Sequence, residues 1–162
     1  MLSGAVVFLA AGLAAPAPTG YARLMPQSAA TPPALPVSNG WAATAAFLLA
    51  AAVALGAFGA HGLKNRLDEY RMSIYEKAVF YHFVHALGLM AVALLARAGS
   101  LGPVQAGRIG WLLTAGIALF SGSLYVLAIT GVRVLGAVTP FGGVSFIAAW
   151  VWLGLALLKN SR

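Results

Sequence analysis

"IYEKAVFYHFVHALGLMAVALLA", residues 74–96, decides the fold. From Ala78 to Ala96 it carries no Asp, Glu, Lys or Arg. A helix that crosses a bilayer needs about 20 predominantly apolar residues, and this run supplies them. The apolar residues do not alternate with polar ones, as the strands of a membrane barrel require, so the segment reads as a helix. Three further runs of similar length and character follow the same reading: Trp41–Ala60, Ile109–Thr130 and Pro140–Leu158. The fold class is therefore all-α, a polytopic four-helix transmembrane bundle.

Composition agrees. Of the 162 residues, 61% are hydrophobic and 8% are charged, against about 25% charged in ordinary soluble domains. A globule of this size has too little interior to hide so much apolar surface from water. The net charge is +7. In a soluble chain that surplus would point to nucleic acid. Here the charges gather at the ends of apolar runs, where they anchor helices against anionic headgroups. No basic stripe interleaved with aromatics is present, so nucleic acid is not an expected partner. With no cysteine there is no disulfide, no thiolate metal site and no cysteine nucleophile.

Along the chain, residues 1–40 form a proline-rich, irregular tail, 41–158 the bundle, and 159–162 a short basic end. Six of the eight prolines fall between Pro16 and Pro36. The first fifteen residues are apolar but lack a Lys/Arg-rich start. Three readings stand for them: a cleaved signal, an uncleaved tail or interfacial anchor, or a misassigned start with Met25 as the true one. Connections in the bundle are short, which predicts antiparallel neighbours. Ser73 followed by Glu76 has the spacing of a capping box and predicts that the second span starts at Ile74. Gly99 and Gly102-Pro103 stop that span. Thr139-Pro140 suits an N-cap followed by Pro at the first helical position, or a kink in one helix running from Val134. Leu63, Leu67, Tyr70 and Ile74 recur at helical spacing among charges. They read either as a short amphipathic helix on the membrane surface or as a charged loop.

Small residues predict how the spans pack, because lipid gives helices no hydrophobic reason to associate. Ala43, Ala46, Ala50, Ala54, Ala57 and His61 share one arc of the first span. Thr114, Ala118, Ser121 and Tyr125 share one of the third, and Gly142, Ser145, Ala149 and Ala156 one of the fourth. Each arc is expected to face a neighbouring span.

Three motifs, "ALGAFGAHGL" (54–63), "YEKAVFYHFVHAL" (75–87) and "LFSGSLYVLAITGVRVLGAVTPFGGVSFIAAW" (119–150), occur in that order. Together they resemble the YgdD-like, transmembrane-protein-256-type family, catalogued as a domain of unknown function, over residues 41–158. The resemblance implies a small four-helix protein of the bacterial inner membrane with no established activity. Its motif residues correspond here to Gly56, Gly59, His61, Glu76, Tyr81, His85, Ser121, Gly122, Ser123, Tyr125, Thr139, Pro140, Gly142 and Gly143. The position of His82 is more typically Gln in that family, which weakens any mechanism built on a histidine pair. The family pattern does not reach residues 1–40.

The ionisable residues inside apolar runs carry what chemistry the chain offers, since such residues mark function in membranes. His82 and His85 are about 60° apart on the second span, and His61 ends the first span on the side where the second begins. With Glu76, Tyr81 and Arg133 they make a candidate polar cluster. Imidazoles ligate copper, zinc and haem iron, yet no recognised ligand motif accompanies them and no cofactor is assigned. Glu76 reads as a capping residue or as a partner of Arg133. "SGS" (121–123) lies inside an apolar helix and lacks a nucleophile elbow. "TPFGG" (139–143) lacks the GK[ST] ending of a phosphate loop. Gly56, Gly59, Ser121, Tyr125, Gly142, Gly143 and Ser145 read as helix-packing residues.

No convergent catalytic set appears, so an enzyme is not expected. The expected function is structural or accessory, with membrane lipids, other membrane-protein subunits or a second copy as partners. The alternative is a small transporter, channel or lipid-binding protein with a polar site at His61, Glu76 and His85, and after it a haem or metal redox protein. One side of the membrane would carry Arg97, Arg108, Lys159 and Arg162 near helix ends, and the other all three acids, Asp68, Glu69 and Glu76. The purely basic side suits an anionic cytoplasmic leaflet, which predicts both termini inside.

Overall fold

In a computed structural model the described residues, 40–160, form helices and short turns, with no strand among them. The expectations for the tail and for the last two residues lie outside them. α1 (Gly40–Phe58) ends in a π-turn, Gly59–Leu63; α2 is Glu69–Arg97. The third span is α3 (Pro103–Gly116), a π-turn (Ile117–Gly122) and α4 (Ser123–Thr130) in continuous succession. A 3₁₀ turn, Arg133–Ala137, leads into α5 (Thr139–Asn160). Four stretches are long and apolar enough to cross a membrane: Gly40–Leu63, Glu69–Arg97, Pro103–Thr130 and Arg133–Lys159.

The helix start predicted at Ser73 is displaced. α2 begins at Glu69, with Asp68 as N-cap, its side chain accepting the Arg71 N–H at 2.8 Å. Ser73 is inside the helix. The Ser73–Glu76 spacing matches a capping box, but Asp68 is the better cap, and Glu69 follows it in the first turn, where an acid favours the helix dipole. The surface helix expected over Leu63–Ile74 is not a separate element. Its second half is the start of α2, projecting beyond the apolar run. Its first half is a turn in which Arg66 and Leu67 N–H bond to the Leu63 carbonyl. Arg71 holds this projection in place: its Nε donates to Ala128 O at 2.6 Å and its Nη2 to Ile129 O. Those carbonyls lie in the last turn of α4, which has no later turn to bond them.

At the far end α2 closes as glycine allows. Gly99 adopts φ 76°, and Ser100 N–H returns to Leu95 O at 3.0 Å, the left-handed C-terminal turn that a Cβ disfavours. Pro103 then opens α3 at its first helical position. Thr139 is the first residue of α5 rather than its cap, so Pro140 stands at the second position, where its missing N–H still costs no helical bond.

α2 is the hub. Tyr75 sits on Gly59 at the end of α1, Trp150 of α5 covers Gly88, and Tyr125 of α4 packs on Tyr75. α5 runs back along the third span, with Thr139 beside Ser123 and Trp152 beside Arg108. Consecutive spans are antiparallel. Two apolar clusters fill the interior. The larger is built on Leu89, Val92, Ile109, Leu113, Phe146 and Leu153, the smaller on Leu63, Ile74, Tyr75 and Ala128.

The packing arcs are only partly as expected. Gly142, Ala149 and Ala156 are buried on α5, and Ser145 is half-buried. On the third span Ser121 is buried, Thr114 and Tyr125 are half-buried, and Ala118 is exposed. On α1 the expected arc is turned the other way: Ala43, Ala46, Ala50, Ala54, Ala57 and His61 are all exposed, while Ala45, Ala52 and Gly59 are buried. Apart from half-buried Thr44, whose hydroxyl donates back to Gly40 O at 2.9 Å, α1 is apolar around its circumference, so no polar residue marks its outer face. Gly56 and Gly59 choose the inner one by letting Val79 and Tyr75 come close.

Candidate functional site

A polar layer separates the two apolar clusters. Among the described residues the buried polar side chains are His82, His85, Ser121 and Ser123. In α2 they lie between the smaller cluster's Ile74 and Tyr75 and the larger cluster's Ala86 and Leu89. In the third span they lie between Ile117 and Ala128. The layer lies within the apolar spans, in the half nearer the turns before α2 and before α5, since Thr139 opens α5 and Tyr125 is close to the end of α4. A polar group at that depth has no water to bond and must find a protein partner.

Most of them do. His82 Nδ1 meets the Tyr125 hydroxyl at 3.4 Å, linking α2 to α4. Tyr125 in turn packs on Tyr75, ring centroids 5.1 Å apart, and the Tyr75 hydroxyl donates to Leu55 O of α1 at 2.8 Å. One chain of rings thus ties three spans. Ser123 Oγ donates to Phe120 O and shares a 2.9 Å bond with Thr139 Oγ1, joining the third span to α5. Ser145 Oγ donates to Leu112 O at 2.7 Å across the same pair of spans. Two buried atoms have no hydrogen-bond partner among the described residues: His82 Nε2, although the Leu48 backbone lies beside the ring, and Ser121 Oγ.

His85 faces a different neighbour from His82. Its Nδ1–H donates to Tyr81 O at 2.7 Å, one turn back. That bond fixes the tautomer of the neutral ring and leaves the lone pair on Nε2. The ring stacks on Phe146 of α5, centroids 3.3 Å apart, and on Tyr81 at 5.8 Å. Tyr81 also packs on Phe120 at 4.5 Å. The two imidazoles therefore fasten α2 to different spans, and neither closes on the other.

The rest of the predicted cluster is not gathered here. His61 is exposed at the end of the first span. Glu76 is exposed and lines a shallow apolar groove of about 430 Å³ between α1 and α2, with Gly56, Gly59 and Phe80. Arg133 lines a separate cleft near the chain turns. Among the described residues Glu76 makes no ion pair with Arg133, and no three His, Asp or Glu side chains converge as a metal site. Sequence reasoning missed Tyr75 as the polar bridge to α1, and Arg71 as the clamp on α4. Both sit in the stretch whose spacing predicts a cap and a surface helix. An aromatic hydroxyl at the start of an apolar run was the available signal for the first.

Tight crossings position the layer. At Gly142 a Cβ would strike the Phe120 backbone nitrogen, so only glycine lets α5 lie on the π-turn there. Gly143 is in ordinary contact, 3.8 Å from the Phe120 ring. The crossing is made by the first of the two glycines. The π-turn Ile117–Gly122 carries Ser121 into the layer and Phe120 between Tyr81 and Phe146.

Four apolar helices with their polar groups turned inward define a polytopic α-helical membrane protein. The chain belongs to the family described as "Protein of unknown function (DUF423)", which it matches over residues 55–143. It is similar to the UPF0382 membrane protein YwdK of Bacillus subtilis, 49% identical over 109 residues, covering 67% of this chain and 87% of that one. A UPF0382 membrane protein of Staphylococcus epidermidis is 53% identical over 108 residues, covering 67% and 86%. One from Staphylococcus saprophyticus is 47% identical over 108 residues, covering 67% and 88%. No solved structure matches the chain. The relatives are named as membrane proteins, and their names carry no activity.

Proposed function

We propose that this protein is a structural or accessory component of the bacterial inner membrane that works by associating with other membrane-protein subunits or with a second copy of itself. The observation that supports this most is the disposition of α1. Only 17% of the apolar window of the first span is buried, against 44% for the second. The face left outside carries Ala43, Ala46, Ala50, Ala54 and Ala57, small residues that allow a foreign helix to approach closely, flanked by exposed Phe47, Val53 and Phe58, which such a helix would cover. The buried polar groups point the same way, because they are used to fasten the chain's own spans. The finer likeness to the YgdD-like, transmembrane-protein-256-type family rests on the three motifs and fits the same reading. We place both termini in the cytoplasm, since Arg97 and Lys159 end spans, and Arg108 lies near the start of one, on a side without acids.

Isolation of the intact protein from its native membrane in mild detergent, with mass spectrometry of what co-purifies, tests the proposal. A stoichiometric membrane partner, or a dimer, is expected; a lone monomer would overturn it. Orientation follows from single cysteines at Asn65 and Ala98, introduced into a chain that has none. An impermeant reagent outside the cell should label the first and spare the second.

A second reading, a small transporter or channel, is favoured by one observation: His82 Nε2 and Ser121 Oγ have no hydrogen-bond partner among the described residues and lie inside the apolar spans, Ser121 in a π-turn, a feature frequent at functional sites. Flux in proteoliposomes that His82→Ala and His85→Ala leave unchanged removes it.

A further inference from the structure

The turn linking the first two spans and the turn linking the last two lie on the same side of the bundle. Between them is a cleft of about 600 Å³, within the range of small-ligand sites. Asp68, Tyr70 and Arg71 form one wall and Leu127, Gly131 and Arg133 another. Gly131, at φ 77°, ends α4 and turns the chain, so that Arg133 comes to the cleft at the head of the 3₁₀ turn.

The charges in this cleft are not equivalent. Arg71 is spent on structure through Nε and Nη2, which hold Ala128 O and Ile129 O, and it offers only its remaining N–H groups. Asp68 is also engaged, its Oδ1 accepting the Arg71 N–H at the start of α2, where a carboxylate sits against the helix dipole. Arg133 is exposed and forms no ion pair among the described residues. A guanidinium presents N–H donors in a fork matched to the paired oxygens of a phosphate. Tyr70 adds a hydroxyl. Asp68 keeps its negative charge, and Arg71 and Arg133 outnumber it, so the charged side chains of the lining sum to a positive charge. It lies where the spans end, at the depth of lipid phosphates.

We infer that the cleft between the two turns is a specific site for the phosphate of an anionic lipid headgroup, with Arg133 as its principal ligand and Arg71 as a fixed second charge. The lipid's chains lie along the outer surface of α2 and α4, and its phosphate enters from the membrane side. The site stands whether or not the protein has a protein partner, so its failure would leave the accessory reading untouched.

Native mass spectrometry of the full chain, exchanged into detergent and titrated with phosphatidylglycerol or phosphatidylcholine, reads it. One phosphatidylglycerol should bind with at least about fivefold preference over phosphatidylcholine. Arg133→Gln should cut that occupancy about tenfold, as expected for loss of a charge-assisted contact. This variant replaces an exposed side chain and should leave the unfolding midpoint unchanged. Lys64→Gln removes an equal charge outside the cleft lining and should leave occupancy unchanged. Equal binding of the two lipids, or equal losses from the two variants, would overturn the site in favour of diffuse charge attraction. Displacement of the lipid by millimolar inorganic phosphate would overturn the lipid as occupant in favour of a soluble ion.

Discussion

At the residue scale the bundle depends on contacts that differ sharply in what they tolerate. Tyr75→Phe removes the bond to Leu55 O and little else. Hydrogen bonds between membrane helices average about 0.6 kcal/mol, so reversible unfolding in mixed micelles should show a loss of about that size. Gly142→Ala places a methyl against the Phe120 backbone, which cannot rotate away. It should cost about 2–3 kcal/mol in the same assay, the range for overpacking. Gly107, where a Cβ would meet nothing within 4 Å, is the counter-case: Gly107→Ala should stabilise the protein by about 0.5–1 kcal/mol through helix propensity. His85 was readable from the sequence as a buried residue, since it sits in a run without charges. Its partners were not, because the choice of Phe146 over a second imidazole depends on how far α5 slides along the third span. That position is set by Gly142, not by anything within the histidine's own helix.

At the element scale, α2 carries the architecture. It reaches from the water-exposed Glu69 through both apolar clusters to Arg97, and Arg71 pins its first turn to the end of α4. Arg71→Ala should therefore destabilise the fold by about 2–3 kcal/mol, the cost of hydrogen bonds to a charged group, and should do so more than Arg133→Ala, which breaks no described bond. Spans were legible in the sequence because lipid imposes a length and expels charge to the ends. Their beginnings were less so. Ser73 and Glu76 have the right spacing for a cap, but Asp68 has both the right chemistry and, in Arg71, a side chain that reaches the neighbouring span. The outward turn of the α1 alanines was not legible. A helix that is apolar on every side has no moment to orient it, and only the partner's shape at Val79 and Tyr75 does so.

At the scale of the whole molecule, we propose that the layer of His82, His85, Ser121, Ser123 and Tyr125 is a sealed fastening between spans, with outward association left to α1. The absence of native cysteine makes a direct test clean. Single cysteines at Ser121 and, as a control, at exposed His61 can be challenged in intact membranes with an impermeant, water-soluble thiol reagent from each side in turn. Thiols react as thiolates, which need water. A sealed layer predicts labelling of the His61→Cys chain from one side and none of the Ser121→Cys chain from either. Labelling of Ser121→Cys at a rate near that of the control would contradict the account and establish a hydrated path through the bundle.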